Sequence, residues 1–87
     1  MIVRLRLFAA ARQAARRAAD EYELADGARV DDLVTAAAAR YGDEFAQVLA
    51  TARVWVNGDE PPDGTRTRLA GGDEVAVLPP VSGGATP

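Results

Sequence analysis

Along Ile2-Val3-Arg4-Leu5-Arg6-Leu7-Phe8, apolar and charged residues alternate, with Val3, Leu5 and Leu7 on one side and Arg4 and Arg6 on the other. That is the period of a half-buried β-strand. Ala9 to Ala19 is rich in Ala and Arg, without Gly or Pro, and predicts a helical turn or short helix. Glu21-Tyr22-Glu23-Leu24 alternates again and stops at Asp26-Gly27, which predicts a short second strand pairing antiparallel with the first. Leu33, Val34, Ala37 and Tyr41 recur at helical spacing behind Asp31 and Asp32 and end at Gly42. Acids at the start and glycine at the stop predict a helix, with Asp31-Asp32 as its N-cap. Phe45, Val48 and Leu49 predict a further short helix after the glycine break. Val54-Trp55-Val56 reads as a strand ended by the turn pair Asn57-Gly58. Pro61-Pro62-Asp63-Gly64 is a loop, Thr65 to Leu69 is expected to hold a short strand, and Glu74 to Leu78 is a last strand stopped by Pro79-Pro80.

Hairpin, helix and further short strands give an α+β fold: a mixed sheet, a helix packed on one face, and the opposite face left for a partner. Eighty-seven residues, 48% hydrophobic, suffice for one core, so residues 1–80 are read as one domain. Residues 81–87 offer nothing to bury and are read as a flexible C-terminal tail.

Composition narrows the chemistry. The chain has no cysteine, so the core alone holds the fold, without disulfide or metal-thiolate. It also lacks histidine and lysine, all ten basic residues being arginine, which removes the commonest general base, imidazole ligand and Schiff-base amine. The expectation is a protein that is not an enzyme, with no catalytic residue and no metal site of its own. Glu60, Asp63, Asp73 and Glu74 are read as turn and surface acids. A net charge of −3 gives no nucleic-acid footprint, despite five arginines against one acid, Asp20, in the first twenty residues. Arginines interrupt the N-terminal strand where a signal peptide needs an apolar run, and no segment is long enough to span a membrane. A cytoplasmic location is expected.

Leu69, then Gly72-Asp73-Glu74-Val75, then Pro79-Pro80-Val81-Ser82-Gly83-Gly84 resembles the C-terminal signature of the MoaD/ThiS family of ubiquitin-like sulfur carriers, MoaD above all. Ile2 to Arg12, including Phe8-Ala9-Ala10-Ala11-Arg12, and Val56-Asn57-Gly58 resemble that family's corresponding segments. The resemblance implies a β-grasp (ubiquitin-like) fold and a small subunit of molybdopterin synthase, in molybdenum cofactor biosynthesis. It implies that an E1-like adenylating enzyme of the MoeB/ThiF type consumes ATP and Mg to activate the carboxylate of Gly84. A persulfide donor then supplies the sulfur of a thiocarboxylate. Val81, Ser82 and Gly83 thread into the active site of the large synthase subunit, which brings the catalytic residues. The physical logic is independent of the name: glycine lacks the Cβ that would jam a narrow channel, and Pro79-Pro80 stiffens the exit.

Members that act directly end at Gly-Gly, whereas Ala85-Thr86-Pro87 follows here. Three extended residues move the terminal carboxylate about 10 Å from Gly84. Removal of residues 85–87, by a processing metalloprotease for example, is therefore expected. Arg4, Arg6, Trp55, Pro79 and Pro80 form the candidate partner surface. For Trp55 the competing reading is packing on the sheet, and for the two arginines plain solubility. Other recipients of the sulfur are thiamine thiazole, cysteine or a secondary metabolite; a protein modifier or binding module of the same fold is the reading from another class.

Overall fold

The computed structural model describes residues 1–80. Its elements are β1 (Ile2–Leu7), α1 (Ala9–Ala15), β2 (Ala19–Glu23), α2 (Val30–Tyr41), α3 (Asp43–Leu49), β3 (Arg53–Val56) and β4 (Glu74–Leu78). The four strands form one mixed sheet in the order β2-β1-β4-β3. β1 is antiparallel to β2 and parallel to β4, and β3 is antiparallel to β4. First and last strands thus lie side by side at the centre, with helices on one face: the β-grasp arrangement.

The alternation in β1 is realised residue by residue: Val3, Leu5 and Leu7 are buried, and Ile2, Arg4 and Arg6 are exposed. Val75 and Val77 continue the buried side in β4, and Val30, Leu33 and Ala37 of α2 close over it. Phe45 of α3 is fully buried, with Tyr41 edge-on at 5.0 Å between centroids and Tyr22 edge-on to Tyr41 at 6.5 Å. At Asn57 (φ 53°) and Gly58 (φ 85°) both turn residues adopt positive φ, the I′ geometry that this dipeptide favours. Asn57 also ties the turn to β4, donating Nδ2 to Asp73 Oδ1 (3.0 Å) and accepting from the Glu74 N–H (2.9 Å).

Three local expectations are corrected. The second strand runs from Ala19 to Glu23, two residues early at its start, because pairing with β1 recruits Ala19 and Asp20, which carry no apolar signal of their own. The strand expected within Thr65 to Leu69 is absent among the described residues: Gly64–Arg66 forms one 3-10 turn, and only Arg68 makes an isolated bridge, to Arg29. Arg29, not Asp31 or Asp32, is the N-cap of α2. Asp32 sits at the third helical position and its Oδ2 accepts from the Arg29 N–H at 2.8 Å, which satisfies that donor from inside the helix.

Candidate functional site

The parallel pairing of β1 with β4 brings the chain's exit to one end of the sheet. The Phe8 N–H donates to the Val77 carbonyl at 3.2 Å, so the start of α1 and the end of β4 are joined there. Pro79 and Pro80 follow, both exposed. They border a small, largely apolar recess of about 130 Å³ with Phe8, Ala9, Val48 and Leu78. Phe8 is 38% exposed. It was not singled out from the sequence, although it continues the outward parity of Arg4 and Arg6. Gly84, with Val81, Ser82 and Gly83, lies outside the described residues.

The remaining candidates fall on the sheet's outer face. Arg4 pairs with Glu21 and Arg6 with Glu74, each at 3.6 Å, and Arg6 lies 5.7 Å from the Phe8 ring centre. These exposed pairs hold the guanidinium groups in place more than they stabilise the fold. Trp55 stands opposite Ala76, on the same face as Arg6. It is partly buried outside the core, and its Nε1 is covered without a partner. Trp55 is thus half-buried on the outer face of the sheet. Trp55 and Pro80 also border an open groove of about 450 Å³ along β3, reaching Val30 and Gly64. Arg4, Arg6, Phe8 and Trp55 share one face, and Pro79 and Pro80 stand at its exit end. Of the acids, Glu74 sits on this face with Arg6, Glu60 pairs with Arg53 at 3.4 Å, and Asp73 Oδ2 accepts from the Ala70 N–H at 2.8 Å.

A second polar cluster joins β2, α2 and the turn after α1, away from this face. Asp20 accepts from Tyr41 Oη (2.6 Å), Arg40 Nη1 (2.9 Å) and Arg17 Nη1 (3.0 Å). Burial alone raises its carboxyl; hydrogen bonds from Tyr41, Arg40 and the Glu21 N–H and the charge of Arg17 outweigh that and hold it at about 2. Burial and the bond to Asp20 push the Tyr41 hydroxyl upward, and burial raises Tyr22. The Arg40 guanidinium lies 4.1 Å from the centre of the Tyr22 ring. Arg17, Arg40 and Tyr41 are all spent on Asp20, as in a structural tie and not a reactive centre, while the Tyr22 hydroxyl is covered without a hydrogen-bond partner.

Comparison with known proteins agrees with this geometry. Residues 5–84 match the ThiS family. The molybdopterin synthase sulfur carrier subunit of Chlamydomonas reinhardtii is 32% identical over 84 residues, covering 97% of this chain and all of that protein. A solved structure described as molybdopterin converting factor subunit 1, from Pyrococcus furiosus, superposes with a TM-score of 0.83 at 32% identity, over 93% of this chain and 99% of that one. The small archaeal modifier protein 1 of Methanosarcina acetivorans superposes with a TM-score of 0.81 at 26% identity, over 95% and 96%. By sequence and by fold, this chain belongs to the ThiS/MoaD family of ubiquitin-like sulfur-carrier proteins.

Proposed function

We propose that this protein carries sulfur as a thiocarboxylate on Gly84, as the small subunit of a molybdopterin synthase. The observation that carries the reading is the extent of the family match, which ends at Gly84 and leaves Ala85-Thr86-Pro87 beyond it. The likeness to a molybdopterin synthase sulfur carrier subunit along almost the whole chain favours that recipient over thiamine thiazole, cysteine or a secondary metabolite.

A carboxylate resists attack by sulfur, whereas its mixed anhydride with AMP does not. An activating enzyme of the E1-like class would supply that anhydride from Mg-ATP with release of pyrophosphate. A persulfide would displace AMP to give an acyl disulfide, and a second thiol on a partner would cleave its S–S bond to leave the thiocarboxylate. A large synthase subunit would then take up the charged end. The domain's own part is to hold and aim: the Phe8–Val77 bond and Pro79-Pro80 set where the segment starts, and the outer face with Arg4, Arg6, Phe8 and Trp55 gives partners a grip. A processing protease that removes residues 85–87 is part of the proposal, since about 10 Å of extra chain would misplace the reacting carboxylate. The setting is a reducing cytoplasm.

The experiment compares protein ending at Gly84 with the full-length chain, each mixed with an E1-like enzyme, Mg-ATP and a sulfide source. Exchange of one oxygen for sulfur, read by intact mass, is expected for the truncated form alone. No exchange with any activating enzyme of the class would defeat the carrier reading. The likeness to a small archaeal modifier protein favours one second reading, conjugation to other proteins. Its signature is an isopeptide between Gly84 and a partner lysine, and a lysine-free chain would be attached singly.

A further inference from the structure

We infer that the cleft between the start of α2 and the 64–66 turn is a binding site for a phosphate group, at the end of the sheet opposite Pro79-Pro80. Arg29, Arg66 and Arg68 line this open cleft of about 620 Å³ together with Asp63. Arg4, Arg6, Arg17, Arg40 and Arg53 each have a carboxylate within 4.0 Å. Among the described residues, none of the three cleft arginines does.

Two details favour an anion at this place. Arg29 and Arg68 face each other across an isolated bridge, and like charges directly opposite repel unless something between them is shared. Arg29 Nε is covered and has no hydrogen-bond partner, so no protein acceptor offsets the charge of this guanidinium, a group that grips phosphate through its N–H groups. Arg68 Nη1 lies 3.9 Å from where a Cβ on Gly27 would stand, and Arg68 lines the cleft with Arg29. The acids nearby are Asp31 and Asp32 in the first turn of α2, the latter bonded to the Arg29 N–H, and Asp63 in the wall. They limit the attraction to short range and the affinity to roughly millimolar.

The test follows arginine Nε–H resonances of the whole chain by nitrogen-15 NMR while inorganic phosphate is added at constant ionic strength. The Arg29 and Arg68 signals should shift and saturate, while those of Arg12 and Arg16, which line a separate surface on α1, should barely move. R66A and R68A, both at exposed positions, should weaken binding about tenfold each, and D63N should tighten it several-fold. Backbone spectra report whether each variant is folded. A parallel titration with AMP assigns the source: tighter binding than phosphate means a phosphomonoester, equal binding means the free anion. An Arg29 shift no larger than that of Arg12, or saturation unchanged in R68A, would overturn the assignment.

Discussion

Replacing Asp20 by Asn keeps the shape of the side chain and removes the charge on which Arg17, Arg40 and Tyr41 converge. Holding that carboxyl at about 2 against an ordinary 3.8 corresponds to (3.8 − 2) × 1.36, or about 2 kcal/mol of stability at neutral pH. The side chain is only 15% exposed, but Arg17 and Arg40 are about half exposed, so solvent screening makes this an upper value. The folded value is depressed, so the contribution is complete above pH 3.8 and is lost as pH falls through about 2. At pH 2 only about 0.4 kcal/mol of it survives. Urea unfolding of both proteins at pH 7 and pH 2 measures the difference. With a slope of about 1 kcal/mol/M for a chain this size, the midpoints should lie up to about 2 M apart at neutral pH and nearly coincide at pH 2. A gap of the same size at both pH values would refute the reasoning, because the loss would then come from shape or hydrogen bonding and not from charge.

Tyr41→Phe removes the shortest bond to Asp20 and should cost about 1–2 kcal/mol at pH 7, with acid unfolding moved to higher pH, read by circular dichroism against pH. Phe45→Ala empties the fully buried ring site between α2 and the sheet and should cost about 3–5 kcal/mol in the same urea assay. Asn57→Ala loses two side-chain bonds to the β4 turn and the residue best suited to φ 53°; about 1–2 kcal/mol is expected in thermal unfolding. Phe8→Ala should change stability by less than about 1 kcal/mol but slow activation of the Gly84 carboxylate by about tenfold, read as thiocarboxylate formed per minute.

What was legible in the sequence was whatever local chemistry decides. β1 and β4 alternate or stop at proline, and Asn57-Gly58 forces its own turn, so each was readable from a few residues. The start of β2 was not, because Ala19 and Asp20 become strand only by pairing with Arg6 and Leu5. Thr65 to Leu69 alternates well enough to suggest a strand, but Gly64 at φ 58° opens a 3-10 turn, and the one bridge formed is to Arg29. Asp31 and Asp32 rightly announced a helix start; the cap fell on Arg29, whose side chain gives no such signal. For the candidate site, the outward parity of Arg4 and Arg6 was plain, and the same parity assigns Phe8. Neither the Asp20 tie nor the arginine cleft was readable, since Arg40 reaches Asp20, and Arg68 meets Arg29, across distant parts of the chain.

The central parallel pair sets the chain's exit and the arginine cleft at different ends of the sheet. In a parallel ladder both strands leave from the same edge, so the Phe8 corner and Pro79-Pro80 emerge together, fastened by the Phe8–Val77 bond. At the other edge the Gly72 N–H donates to the Ile2 carbonyl and the Leu69 N–H to the Ala28 carbonyl, at 2.8 Å each, which places the arginine cleft beside the beginning of both strands. Between the two edges lies β4, five residues long, or about 17 Å at strand rise. That span is roughly two Debye lengths at physiological salt, and the strand between is locked in the middle of the sheet. A partner confined to the Phe8 corner and Pro79-Pro80 therefore leaves the cleft open, whereas one lying along the β3 groove comes up to Val30 and Gly64 beside it. Phosphate affinity measured on the free chain and on its complex with an activating enzyme should agree within about twofold, and a larger change would mean that the partner itself reaches round to the arginines.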